Sequence, residues 1–423
     1  MSHQDTASPH PADRLIVVGA STRALARSAT AAGWAVYAAD LFNDADLQTF
    51  VAHSVRVAAG EYPHALVAAA QSFPPAFPPA PWCYTGAVEN HPALIDQLAA
   101  IRPLAGNAGA AVRAVRDPLR LGATARSAGL LVPETRATPA GLPHDGSWLV
   151  KPRASASGHG VHPWLSAAPP PHQKPLLWQH RVTGIPHAAS FIMARGRARL
   201  LGLSRQLIGE PWCTGGAFAY GGSVTLSSAE ASPGLAAAAG EIGGMLAAEF
   251  HLVGAVGVDL VVDPDGRPWI IEVNPRMTAS MELHERATGI SVAAAHLDAC
   301  GVAGPTATGS RPTATDTRWA KAVVHTPVAL TITTGLTADW AALAAEWTRV
   351  DGGQPALADI PTPGQTLAAR APVLTVFARG DAVDAALAAL RHRARALAAT
   401  WQHSVSQPSA VAAPLPPHAR CTA

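Results

Sequence analysis

The chain has 423 residues, 48% hydrophobic and 14% charged, enough apolar mass to fill two or three cores of ordinary size. Alanine supplies the hydrophobic excess, no stretch resembles a membrane span and none reads as a secretory signal, so a cytoplasmic protein without membrane contact is expected. A net charge of +2 carried by scattered arginines forms no basic stripe, which argues against nucleic acid as a partner.

Residues 1–12 are polar and proline-bearing and read as disordered. Leu15-Ile16-Val17-Val18, the turn Gly19-Ala20-Ser21-Thr22 and the alanine-rich stretch to Ala32 read as strand, turn and helix, with a further strand over Ala35–Asp40. This α/β opening is Rossmann-like, and residues 13–110 are taken as one domain. Its glycine fingerprint for a dinucleotide is incomplete, because Ser21 and Ala24 follow Gly19, and Asp40 reads as a strand-end cap before a ribose ligand. After the proline-rich connection 73–81, Asn90 is expected to cap a helix over Ala93–Ile101, and Val112–Leu131 to form one helix ending at Pro133.

Only three of the 31 basic residues are lysines, Lys151, Lys174 and Lys321, so a retained lysine marks a place where a compact point charge matters. Lys151 ends the apolar strand Trp148-Leu149-Val150 and precedes the small-residue loop 154–160, with Ser155, Ser157, Gly158 and Gly160. A strand, a lysine and a Gly/Ser loop can hold phosphates through backbone N–H groups and one ammonium. Pro169–Pro171 marks a further loop, residues 176–182 a short strand, and 188–193 with 198–206 a hairpin around Gly196. An alanine-rich helix is expected over 234–250. Such helices can serve as core or as the surface of a homodimer.

The most informative segment runs from Val256 to Arg276. Two apolar runs flank Asp263-Pro264-Asp265-Gly266, a tight-turn signal, so an antiparallel hairpin is expected. With Val262 facing Arg267, Asp259 would stand opposite Ile270, and Glu272 and Asn274 would follow on the same face, because strand side chains alternate. Two carboxylates and an amide oxygen are the hard donors that magnesium takes, leaving its remaining positions to water and phosphates, and manganese fits the same set. Beyond a linker over 301–316, strand-like runs such as Val373–Ala378 suggest a small β-rich domain over 316–402, and 403–423 reads as a disordered tail. Cys83, Cys213, Cys300 and Cys421 lack the close spacing of zinc or redox motifs and read as free thiols.

Taken in order, the Rossmann-like start, Lys151, the Gly/Ser loop, the strand at Gln179 and the Asp259, Glu272, Asn274, Arg276 hairpin resemble ATP-grasp enzymes over residues 14–300. Glu-Val-Asn-Pro-Arg with Ser280 and Ala287-Thr288-Gly289 is similar to carbamoyl phosphate synthetase, the spacing from Asp259 to Glu272 to D-alanine-D-alanine ligases, and the region around 359–373 to the closing domain of the biotin carboxylase branch. The resemblance implies an α+β, two-lobed ATP-grasp domain over 111–302 with a lid near 154–160. It implies that Lys151, Ser157, Gly158, Gly160, Gln179 and the backbone of Arg181 and Val182 bind ATP. Asp259, Glu272 and Asn274 would hold magnesium, and Arg276 would face the transferred phosphoryl group.

Such relatives often carry a second lysine where this chain has Arg116 and Arg120, and the Glu-His pair of biotin carboxylase is missing after Arg276. The implied activity is ADP-forming ligation of a small carboxylate to an amine, with Glu89, Arg205, Ser280 and Glu282 as candidates for substrate recognition. Glu282 reads more simply as a helix-surface carboxylate. An extension to a methanopterin- or furan-type one-carbon cofactor follows the same resemblance. The rival readings are a non-catalytic nucleotide-binding protein and an NAD(P)-dependent oxidoreductase.

Overall fold

A computed structural model describes residues 13–73, 79–166, 175–213, 216–305 and 317–405. The N-terminal twelve residues, Lys174, Cys421, the Pro169–Pro171 loop, residues 306–316 of the linker and the tail after 405 lie outside the described residues. Among the described residues no helix is long and apolar enough to cross a membrane, and Cys83, Cys213 and Cys300 are free thiols.

The chain opens with a four-stranded parallel sheet in the order His53–Arg56, Ala35–Asp40, Arg14–Gly19, Trp82–Tyr84. Alternation along the Arg14–Gly19 strand explains its unbroken apolar run. Leu15 and Val17 enter one core with Leu25 and Ala29 of the following helix, while Ile16 and Val18 enter a second with Leu66, Trp82 and Ile95.

The expected single helix over 112–131 is two helices, Gly109–Val115 and Pro118–Ser127. Pro118 has no N–H to give to the preceding turn, and Asp117 caps the new helix by accepting from the backbone N–H groups of Leu119 and Arg120. The break leaves Arg116 at the end of the first helix.

A small antiparallel sheet then runs in the order Thr135–Arg136, Leu176–His180, Trp148–Pro152, His162–Pro163, closed by Trp148, Trp164 and Trp178. The main sheet has eight antiparallel strands in the order Pro268–Asn274, Gly254–Val262, Ile185–Ala194, Arg197–Ile208, Tyr220–Thr225, Arg318–His325, Pro372–Gly380, Leu357–Ala358. Helix Pro233–Glu249 packs Leu235, Ile242 and Leu246 against it, and helices Thr334–Val350 and Val383–Val405 contribute Trp340, Leu390 and Trp401 to the core at the C-terminal end. The fold is therefore mixed α/β and α+β, and the region after 316, expected as a small β-rich domain, adds three strands to the main sheet and two long helices beside them.

Candidate functional site

The hairpin forms, in a register different from the expected one. Its loop spans Asp263–Arg267, where the Asp263 carboxylate accepts from the N–H groups of Asp265 and Arg267, so Val262 faces Pro268. A bulge between Asp259 and Leu260 then shifts the pairing, and Asp259 stands directly opposite Glu272 instead of Ile270. Asn274, two residues on, shares that face and lies opposite Gly257, where a Cβ would meet the Thr278 side chain at 2.3 Å.

Two carboxylates opposed across adjacent strands repel each other, and the surroundings answer unequally. The Asp259 carboxylate accepts from Gln206 Nε2 (2.8 Å) and Asn274 Nδ2 (3.0 Å), and burial together with the Glu272 charge pushes its pKa up to about 6. Burial would raise Glu272 as well, yet Arg116 and Lys151 draw it below the usual carboxylate range. Arg116 Nη1 donates to Glu272 Oε1 and lies 3.4 Å from Asn274 Oδ1. This all-oxygen set suits a hard divalent cation, which takes few protein carboxylates. Among the described residues no group of three or more His, Cys, Asp or Glu forms a fuller metal cage.

Arg276 closes one side. Its Nε and Nη2 donate to Glu89 Oε1 (3.0 and 2.6 Å), and Nη2 lies 3.4 Å from Asn274 Oδ1. Burial works against the guanidinium charge, but Glu89 more than restores it. Glu89 Oε2 is buried without a hydrogen-bond partner. Of the two arginines that could replace a lysine, Arg116 reaches the site, whereas Arg120 lies over the Phe250 ring at 5.6 Å.

On the facing sheet Lys151 Nζ donates to Gln179 Oε1 (3.0 Å), and Gln179 Nε2 donates to Thr135 Oγ1 (3.2 Å). Burial and Arg116 lower the lysine pKa, while Glu272 and Asp259 oppose the shift. A cavity lined by Val115, Leu121, Leu177, Lys151, Gln179 and Glu272 lies between the helices after residue 109 and the two sheets. Its apolar walls with a few convergent polar groups are the usual make-up of a small-molecule site.

Arg181 spends its backbone N–H on Ser147 O (2.8 Å) and stacks its guanidinium 6.0 Å from the Phe218 ring, with Val182 half-buried beside it. In the loop near 154–160, Ser155 lines the cavity. Ser157 accepts at its carbonyl from Tyr220 N (3.3 Å), and a Cβ at Gly158 would overlap Phe218 O. Gly160, like Gly158, takes a left-handed φ, 77° against 74°.

The substrate candidates divide. Glu89 joins the cluster, as described. Arg205 alternates to the face opposite Gln206, pairs with His187 along the sheet, and stays out of the cluster. Ser280 is buried, 3.4 Å from Ser190 Oγ and 3.2 Å from Thr278 Oγ1. Glu282 is not a helix-surface carboxylate. It is buried beneath Arg23 (2.5 and 2.9 Å) and Lys321 (3.1 Å), because the N-terminal helix and the Arg318–His325 strand cover that side of its helix.

Asn90 does not cap the helix from Pro92, whose N-cap position is His91. Its amide instead joins Arg116 to Ser155. Asp40 accepts four hydrogen bonds, from Thr22 N, Thr22 Oγ1, Phe42 N and Asn43 N, and is spent on its turn. Gln206 and Thr135 escaped the sequence reading. Gln206 lies in phase with Ser204 on the strand face away from the buried Leu203 and Leu207, so apolar periodicity gave no sign of it.

The ATP-grasp domain profile matches residues 115–280. Among solved structures, the carboxyaminoimidazole ribonucleotide synthase of Aspergillus clavatus, complexed with ATP, is similar over 92% of this chain and 99% of its own, with TM-score 0.65 and 14% identity. The L-amino acid ligase of Bacillus licheniformis is similar over 90% and 96%, with TM-score 0.64 and 14% identity. The biotin carboxylase of Campylobacter jejuni is similar over 88% and 89%, with TM-score 0.61 and 12% identity. At these identities the likeness is one of fold. No curated protein matches the chain by sequence.

Proposed function

From the match of residues 115–280 to the ATP-grasp domain we propose that the protein is an ADP-forming ligase that joins a small carboxylate to an amine. The observation that carries this reading is the opposed Asp259–Glu272 pair with Asn274 alongside and Arg276, Arg116 and Lys151 converging on it. A binding module has little need for three cations around two ligand carboxylates. Phosphoryl transfer does, because its transition state spreads negative charge over equatorial oxygens that must be neutralised in place.

In the proposed reaction an oxygen of the substrate carboxylate attacks the γ-phosphorus of ATP, the bond to the β-phosphate oxygen breaks, and ADP leaves. The amine then attacks the acyl carbon, phosphate departs, and the amine gives up a proton as the amide forms. Magnesium held by Asp259, Glu272 and Asn274 would supply charge neutralisation at the phosphates. The protein's own groups position the reactants. Arg276, fixed by Glu89, faces the transferred group, Lys151 meets the phosphates, and Gln179 with the Arg181–Val182 backbone frames the base. Ser157, Gly158 and Gly160 belong to the lid that excludes water while the acyl phosphate lives. No side chain serves as a nucleophile. A role in assembling a methanopterin- or furan-type one-carbon cofactor, with glutamate as the amine, is the finer reading and rests on the family resemblance alone.

One contact favours a second reading. Arg116 is bonded to the very carboxylate assigned to the metal, as in a nucleotide-binding protein that no longer turns over. ADP and phosphate release from ATP-magnesium with pooled carboxylates and amines, comparing the intact protein with Glu272→Ala, separates the two. Release that depends on substrate and disappears in the variant supports the ligase. ATP binding without release from any pool supports the binding protein.

A further inference from the structure

Residues 89 and 90 deliver two side chains from the N-terminal domain to two arginines of the site. They lie in the short 3-10 helix Val88–Asn90, which is launched by Ala87 in a left-handed conformation at φ 75° that a residue with a Cβ seldom adopts. Glu89 holds Arg276. Asn90 Oδ1 accepts from Arg116 Nη2 at 2.9 Å, and Asn90 Nδ2 donates to Ser155 O at 3.1 Å. The planar amide can satisfy both neighbours in one orientation only, since a flip would set its N–H groups against the guanidinium and its oxygen against the Ser155 carbonyl. Arg116 is itself bonded to Glu272 and close to Asn274. An unbroken chain of polar contacts therefore runs from the proposed metal ligands through Arg116 and Asn90 to the backbone of the lid.

We propose that Asn90 is a positioning residue that latches the lid to Arg116, so that the lid and the cation standing against the Glu272 carboxylate are held or released together. The inference names a control of the ligase site and rests on that reading for calling residues 154–160 a lid. Its physical basis is competition. An incoming polyphosphate offers Arg116 an alternative to Glu272, and when Arg116 shifts, Asn90 loses the contact that fixes its amide, which loosens its hold on Ser155. The lid opens from the latched position while the phosphates enter, and no residue of the lid needs to sense them directly.

Amide hydrogen exchange across residues 154–161 tests this in the nucleotide-free protein. Asn90→Ala removes both contacts. Asn90→Asp keeps an acceptor for Arg116 but loses the donor to Ser155 O and sets a carboxylate against that carbonyl. Exchange in the lid should rise roughly two- to tenfold in both variants, the range expected for one hydrogen bond, while helix Val383–Val405 exchanges as in the parent. Arg116→Ala should raise lid exchange by a similar factor, and adding Asn90→Ala to it should raise it no further, because the two side chains act in series. Parental lid exchange in both Asn90 variants, a rise confined to Asn90→Ala, or additive effects of the Arg116 and Asn90 changes would each overturn the proposal. No nucleotide enters the measurement. Failure of the parent protein to bind ATP-magnesium in a separate titration would sink the ligase reading and with it the release by phosphates, while the exchange data would still decide whether Asn90 holds the 154–160 loop.

Discussion

Two charge clusters in this protein are built from the same residue types and behave differently. Around Glu282, Arg23 gives both terminal nitrogens to the carboxylate, Lys321 adds a third contact, and Arg23 Nε turns to Asp359, whose other oxygen accepts from Thr375 Oγ1. Burial alone would raise the pKa of Glu282, but Arg23 and Lys321 hold it well below the usual carboxylate range. Arg23, Glu282, Lys321 and Asp359 each meet a partner on the protein there. Around Glu272 the carboxylate is 37% exposed against 8% for Glu282, its partner Arg116 comes from a helix end, and the neighbouring Asp259 is a like charge. The first cluster ties five segments of the chain together through these contacts. The second keeps a partly exposed carboxylate beside Arg116 and Lys151, an arrangement that suits an exchangeable metal and phosphate. Density of charge does not mark a site. Incomplete internal pairing at an accessible place does.

The comparison is most easily broken at Glu282. Replacing it by alanine leaves Arg23 and Lys321 buried without their shared partner and should cost about 3–5 kcal/mol in urea unfolding, whereas a loss under about 1 kcal/mol would show that the junction is not structural. A buried group without charge sharpens the contrast. His296 accepts from Ala255 N at Nδ1 (2.8 Å) and donates from Nε2 to Ala105 O (3.1 Å), and burial lowers its pKa to about 4, against the opposing effect of the Ala105 carbonyl. The folded ring stays neutral where the unfolded one, near 6.5, takes up a proton. Its contribution is therefore full above pH 6.5 and is lost as pH falls towards 4. Between pH 7 and pH 4.5 the loss should be about 2–3 kcal/mol more for the parent than for His296→Gln, and equal pH slopes for the two would refute it.

At the accessible cluster the expected effect is on binding. Lys151→Ala removes a charge-assisted contact worth about 1.5–3 kcal/mol, so ATP affinity should fall roughly tenfold or more in calorimetric titration. Unchanged affinity would remove Lys151 from the site. Smallest is the exposed pair Arg113–Asp96, at 2.9 Å with side chains 51% and 46% exposed. Arg113→Ala should shift unfolding by no more than about 1 kcal/mol, an effect that shrinks further in salt.

The local signals reached far into the site. Period-two alternation placed Asp259, Glu272 and Asn274 on one strand face, and the retained lysine at 151 stands beside Gln179 and the cavity. The same logic failed where one residue decides the outcome. A five-residue loop and a bulge moved Asp259 from opposite Ile270 to opposite Glu272, and neither leaves a periodic trace in the sequence. Asn90 before His-Pro has the composition of a helix cap, and its turn towards Arg116 depends on a left-handed Ala87 that no propensity favours.

What the sequence determined by itself was the order of elements, because apolar periodicity, glycine and proline act over a few residues: the parallel βα opening, the lysine strand with its small-residue loop, and the oxygen-bearing hairpin. Tertiary structure decided which charges meet. Arg23 and Glu282 are 259 residues apart and Arg116 and Glu272 are 156 apart. Pairing over such separations is set by how the sheets and helices pack, and the same packing buries one carboxylate as a structural tie and leaves the other partly exposed.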